Sequence, residues 1–223
     1  MSEERTAGIV VRTRLLTETS LIVHWLTAEA GRVSTVARGA RGPKSVYRGR
    51  LDLFQEAELT FRRAKRSDLH TLGEVVPTGT YPELRRDWRL LTQACYGVSL
   101  IELTTEEDTP VPETWNLFRA YLATVNRGPF SVLTVYALEL RHLADLGQLP
   151  DFDRESLGAG SRKLAERLLE AEWGAWLGVE VRVDWVEPLD RFLKGFLGTQ
   201  LGRLPKGRDE ALGADSNPPL PGG

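Results

Sequence analysis

From Ala7 to Pro77, apolar and polar residues alternate with a period of two in short runs broken at glycines and charged patches. This is the pattern of a small all-β unit. In GIVVRTR, Ile9 and Val11 share one face, and Val10, Arg12 and Arg14 share the other. TSLIVHWLT sets Leu21, Val23 and Trp25 against Ile22, His24 and Leu26. Both faces are apolar, as in a central strand covered on each side. GRVSTVARG follows a short turn at Gly31, so these two runs form a hairpin. QEAELTFRR turns Ala57, Leu59 and Phe61 inward, and LHTLGEVV is the fifth run. Five short strands, with the longest irregular stretch between the third and fourth, predict a five-stranded, partly open barrel of the OB-fold type. An SH3-like barrel fits the same periodicity.

Beyond Tyr81 and Pro82 the period becomes helical. Leu84, Trp88, Leu91, Cys95 and Val98 make one apolar stripe, which places the Cys95 thiol in a core. PETWNLFRAYLATVN carries Trp115, Phe118 and Leu122, and FSVLTVYALELRHLADLG carries Val135, Tyr136, Leu140 and Leu143 before Gly147 and Pro150. SRKLAERLLEAEWGAWLG predicts a fourth helix, VEVRVDWV a strand or extended connector, and PLDRFLKGFLGTQL a closing helix that begins at Pro188. From Arg203 the chain is rich in Gly and Pro, which predicts a disordered tail. The expected organisation is multidomain α and β: a barrel over residues 1–80, an all-helical bundle domain over 81–202 and a tail over 203–223.

No run approaches the roughly 20 apolar residues of a membrane span, and the acidic start MSEERTAG is unlike a signal peptide. A cytoplasmic protein without membrane contact is expected. Cys95 is the single cysteine, and with His24, His70 and His142 it offers no metal-binding spacing, so neither a disulfide, a structural zinc nor any other cofactor is expected. The net charge of −2 conceals an asymmetry: residues 1–80 hold 13 Lys and Arg against 9 Asp and Glu, and the remainder holds 16 against 22. The front end is therefore the candidate for contact with a polyanion.

That excess concentrates in RVSTVARGARGPKSVYRGR, where Arg32, Arg38, Arg41, Lys44, Arg48 and Arg50 stand among small residues without an acid. Small residues let a ribose-phosphate backbone approach, and cations without local carboxylates can replace condensed counterions. Tyr47 is available for stacking on bases. The plainer reading is a solvated, flexible hairpin. No GxSxG, P-loop, HExxH or dinucleotide fingerprint is present, so an enzyme is not expected. His24 and His142 read as structural, and Glu106, Glu107 and Asp108 as helix-end solvation or a loop. Trp88, Trp115 and Trp176 fall at core spacing, leaving Tyr47 and Trp185 as the exposed aromatic candidates.

The order of GIVVRTR, ETSLIVHWLTAEAGRVSTVARGARGPKS, LDLFQEAELTFRR and LHTLGEVV resembles the N-terminal domain of the RecO family of bacterial DNA repair proteins. Its hallmark, a strand running into a basic loop of the form AKGARRPKS, is matched by Val36 to Ser45. The likeness continues through LRRDWRLLTQACYGVSLIEL, ETWNLFRAYLATV and YALELRHLADLGQLPDFDR, covering roughly the first 154 residues. The resemblance implies a non-enzymatic mediator that binds single- and double-stranded DNA, anneals complementary strands, and acts with RecR to load RecA onto DNA coated by the single-strand-binding protein, SSB. It also implies that the helical domain receives the acidic, apolar-tipped C-terminal tail of SSB, in a groove for whose rim Arg119 and Arg141 are candidates. Many relatives carry a four-cysteine zinc module where this chain has Glu155, Ser156, Leu157 and Gly158, which leaves the fold of residues 155–185 open. Two other readings of the residues alone are an adaptor whose basic barrel contacts acidic proteins, and an RNA-binding protein using the same loop.

Overall fold

The computed structural model describes residues 3–152 and 157–213. They form two compact units, Met1–Tyr81 with Thr105–Asn116, and Pro82–Thr104 with Leu117–Gly223. In the first, strands β1 (Glu3–Leu15), β2 (Leu21–Thr27), β3 (Gly31–Ala37), β4 (Glu56–Arg62) and β5 (Leu69–Gly79) close a barrel in the order β1-β2-β3-β5-β4. All pairs are antiparallel except β3 with β5, which run parallel from Ser34 opposite Leu69 to Val36 opposite Thr71. That parallel closure gives the OB-fold and decides against the SH3-like alternative; the barrel is closed where the sequence suggested a partial opening. Trp25, Val33, Leu59, Phe61 and Leu72 fill the interior, as the period-two pattern requires. Trp25 donates from Nε1 to Thr35 Oγ1 at 2.9 Å, which satisfies the indole inside an apolar core.

The segment Thr105–Asn116 joins this unit, which a boundary at residue 80 misses. It lies along the start of β3: Asp108 N–H donates to the Arg32 carbonyl at 2.8 Å. Gly31 holds φ at +71°, and a Cβ there would stand 1.8 Å from the Thr109 carbonyl oxygen. Only glycine fits both the backbone angle and the approach.

The second unit contains α1 (Trp88–Thr104), α2 (Pro112–Arg127), α3 (Val132–Asp145), α4 (Ala159–Glu170), α5 (Val183–Gln200) and a short α6 (Arg208–Ala211), with the first residues of α2 belonging to the barrel unit. Leu90, Gln93, Ala94, Tyr96, Gly97, Val98, Leu100 and Ile101 of α1 are buried, a wider surface than the anticipated stripe and shifted from it, and both Trp88 and Cys95 are exposed. Gly97 marks the closest approach: a Cβ there would be 2.7 Å from the Tyr121 ring, so α1 packs tightly at a position that apolar periodicity does not mark. The fourth helix ends at Glu170, and turns carry Trp173 and Trp176. VEVRVDWV is not a strand, because α5 begins at Val183 and carries Pro188 inside it.

The expected tail also differs. Arg203–Gly213 is ordered through Arg208, which is nearly fully buried and donates from Nε to Glu139 Oε1 at 2.7 Å, from Nη2 to Glu139 Oε2 at 3.1 Å and from Nη1 to Asp190 Oδ1 at 2.8 Å. The last ten positions, 214–223, lie outside the described residues, as do 153–156.

His142 on α3 is buried, with Nε2 2.6 Å from Thr104 Oγ1. The Thr104 hydroxyl donates to the Leu100 carbonyl, so Nε2 carries the imidazole proton and Nδ1, which has no partner among the described residues, carries none. Burial pushes the pKa of His142 down to about 4 from the ordinary 6.5. Between those values the unfolded chain binds the proton and the folded chain does not, so stability falls as pH drops through this window. At about 1.4 kcal/mol per pKa unit the loss approaches about 3 kcal/mol. Urea unfolding at pH 7 and pH 4.5 is expected to show most of it in the native chain, and much less after His142→Gln.

Candidate nucleic-acid interface

Leu15 pairs with Leu21, and Leu21 pairs with Ala37, so the β1–β2 turn and the start of the β3–β4 connection share one end of the barrel. That connection is a series of closed turns, with Gly42 N–H to the Gly39 carbonyl at 3.0 Å, Ser45 to Gly42 at 3.1 Å and Arg50 to Tyr47 at 3.0 Å. Apolar residues seat it: Ala40, Tyr47 and Leu51 pack against the barrel core. The Tyr47 hydroxyl donates to the Gly73 carbonyl at 2.9 Å, with the Leu72 carbonyl at 3.2 Å, and burial raises its pKa. Tyr47 is thus a strut between loop and β5, and its packing against the core removes it from the stacking role.

The cations behave differently. Arg38, Arg41, Lys44, Arg48 and Arg50 are all exposed. Arg41 Nη1 donates to the Glu18 carbonyl at 3.0 Å, Arg48 Nη2 to the Pro43 carbonyl at 2.9 Å, and Arg50 Nη1 to the Val75 carbonyl at 2.8 Å. Arg38 and Lys44 have no side-chain partner among the described residues, and none of the five is in ion-pair contact with a carboxylate there. A carbonyl positions a guanidinium without neutralising it. The loop therefore presents five full charges, three of them held in place, which is the arrangement a phosphate chain needs.

Arg32 leaves this set. Its side chain is only 17% exposed and donates to the Thr105 hydroxyl at 2.9 Å and the Thr105 carbonyl at 2.6 Å, with Glu107 at 3.8 Å. The acidic run, expected as helix-end solvation or a loop, is a loop, a strap whose Glu107 and Asp108 neutralise cations at the other end of the barrel. Asp108 accepts from Arg63 at 2.6 Å and from His70 Nε2 at 2.9 Å, and Arg63 also reaches Glu4 at 2.7 Å. The Ala64 N–H points at His70 Nδ1, 3.3 Å away, which fixes the His70 proton on Nε2. With Glu107 against Arg32 and near Ser34, part of the β2–β3 face that OB-folds offer to oligonucleotides is already occupied. The open cationic surface lies at the loop end.

In the helical unit, Arg141 donates to the Leu168 and Ala171 carbonyls and lies over the Trp173 ring at 4.5 Å. It caps the C-terminus of α4, with burial lowering its pKa, and so forms no rim. Arg119 is exposed on α2 and does not line the groove either. The apolar groove, of about 270 Å³, runs between α3, α4 and the start of α5 over Leu133, Leu164, Trp176 and Trp185, with Lys163, Arg167 and Arg182 at its edge. Sequence reasoning passed over Lys163 and Arg167 because both sit in an amphipathic helix whose polar face looks ordinary. Arg14, Lys65 and Arg66 were also passed over; each is exposed and without a partner among the described residues.

Residues 1–81 match the family model for the recombination protein O N-terminal domain, and residues 85–159 match that for its C-terminal domain. The DNA repair protein RecO of Myxococcus xanthus is 30% identical over 188 residues, covering 83% of this chain and 76% of that protein. This chain belongs to the RecO family. The RecO of Desulfitobacterium hafniense is 32% identical over 163 residues, covering 73% of this chain and 58% of its own length. For that of Syntrophus aciditrophicus the values are 29% over 149 residues, 67% and 58%. The chain thus spans about three-fifths of several RecO relatives that it matches. Among the described residues no group of His, Cys, Asp and Glu is placed to hold a metal, and no helix is long and apolar enough to cross a membrane.

Proposed function

We propose that this chain is a non-enzymatic recombination mediator in DNA repair. It binds single- and double-stranded DNA, anneals complementary strands and works with RecR to load RecA onto SSB-coated DNA. The observation that carries this reading is the basic loop whose cations are left un-neutralised, with the guanidinium groups of Arg41, Arg48 and Arg50 held by carbonyls. Such a surface grips phosphates without reading bases, as annealing of any sequence requires. No bond-making residue is needed. Membership of the RecO family favours DNA over RNA or an acidic protein as the polyanion.

Delivery to coated strands requires a site for SSB itself. The helical groove has the chemistry for an acidic tail with an apolar tip: indole and leucine side chains within, and Lys163 and Arg167 at the edge without partners among the described residues. These two replace Arg119 and Arg141 as the rim. The test is annealing of complementary strands, bare and covered by the cognate SSB. The wild-type chain is expected to anneal both. Lys163→Glu with Arg167→Glu is expected to retain bare-strand annealing and lose at least tenfold in rate on covered strands. Equal rates on covered strands would remove the groove from the reading, and a wild-type chain that anneals neither would overturn the reading itself.

A further inference from the structure

Two leucines at the loop end of the barrel are exposed where a soluble protein has reason to bury them. Leu15 is 67% exposed and Leu16 is 43% exposed. The turn that carries them is fixed: Leu16 N–H donates to the Ser20 carbonyl at 3.0 Å, and Ser20 N–H donates to Thr17 Oγ1 at 3.1 Å. The same turn is tied to the basic loop, because Arg41 N–H donates to the Thr19 carbonyl at 3.0 Å and its guanidinium to the Glu18 carbonyl. By register, Leu15 lies in one row with Leu21 and Ala37, two strand spacings or about 10 Å from the residue that Arg38 follows. Arg14, on the opposite face of β1, is exposed and has no partner among the described residues. The apolar pair is therefore carried on a hydrogen-bonded turn that Arg41 fastens to the basic loop.

Single exposed leucines are common, but an adjacent pair on a turn hydrogen-bonded to an un-neutralised basic loop fits a ligand that is anionic and apolar at once. A duplex shows phosphates outward and keeps its base faces stacked, whereas an unpaired strand offers phosphates and base faces together. We infer that Leu15 and Leu16 contact the bases of an unpaired DNA strand whose phosphates lie on the basic loop, and so give this surface its preference for single strands. This rests on the DNA-binding reading above. Contact with bases through apolar side chains tolerates any sequence.

The test compares the wild-type chain with Leu15→Ser/Leu16→Ser on a 20-nucleotide single strand and on a blunt duplex, by fluorescence anisotropy, with thermal unfolding as the control for folding. The double variant is expected to lose about tenfold in single-strand affinity, equivalent to roughly one stacked base, and to keep its duplex affinity within about twofold. A strand carrying 2-aminopurine is expected to change emission on binding the wild-type chain and less on saturating the variant. Equal losses on both ligands, or no loss on the single strand, would overturn the inference while leaving DNA binding in place. A wild-type chain that binds neither ligand would instead overturn the DNA-binding reading. Because both leucines are exposed, substitution by serine is expected to leave the melting temperature unchanged.

Discussion

Replacing Arg38, Arg41 and Lys44 together by alanine is expected to lower affinity for single-stranded DNA by roughly a hundredfold at 50 mM salt, through loss of three sites of counterion release. The fold should not notice. Arg38 and Lys44 have no partner to lose among the described residues, and Arg41 gives up one exposed hydrogen bond to a carbonyl. Each change should cost no more than about 0.5 kcal/mol of stability. Arg32 supplies the contrast: Arg32→Ala removes two hydrogen bonds to Thr105, so it should destabilise the strap while changing DNA affinity far less.

The largest expected effect on stability lies far from that loop. Arg208→Ala leaves the fully buried Glu139 carboxylate without its bidentate partner and Asp190 without its guanidinium, a change that costs about 3–5 kcal/mol when one member of a buried pair is removed. Burial already raises the pKa of Glu139, against the pull of Arg208 and of Tyr96. Deleting the arginine removes the main opposing force, so the carboxyl takes up a proton. Glu139→Gln combined with Arg208→Ala should therefore recover part of the loss. Denaturant unfolding of the wild-type chain and the two variants checks this; a cost below about 1 kcal/mol for Arg208→Ala would mean the pair is not a fastening of α6 onto α3.

These residues also show where the sequence was legible. The barrel was readable because Val33, Leu59 and Phe61 each alternate with polar neighbours, while the run around Trp25 is apolar on both faces as a covered strand requires. The cationic loop was readable because its charges have no acid among them in sequence, and the fold supplies none in space to Arg38, Arg41, Lys44, Arg48 or Arg50. Arg32 misled because its partners, Thr105 and Glu107, lie more than seventy positions away. No local pattern marks such a strap.

Helix α1 was misread for a related reason. Its buried face uses Gln93 and Gly97, one satisfied by the Ser131 and Ala211 carbonyls and the other packed beneath the Tyr121 ring, so apolarity alone points to the wrong side. The order of residues 203–213 was invisible because α6 is too short for an apolar stripe and is fastened by buried Arg208 together with Ala211 in the core and Leu212 packed against it. Tyr47 looked like a stacking platform in a run of small residues, yet its ring is what seats the loop on the barrel.

The most direct measurement is the salt dependence of single-strand binding for the wild-type chain and the Arg38/Arg41/Lys44 triple variant between roughly 50 and 200 mM. Five phosphate contacts at a slope of about 0.7 each give a loss of about a hundredfold across that range for the wild-type chain. Removing three of them should flatten the logarithmic slope by about two. Parallel slopes for the two proteins would contradict a phosphate grip by this loop.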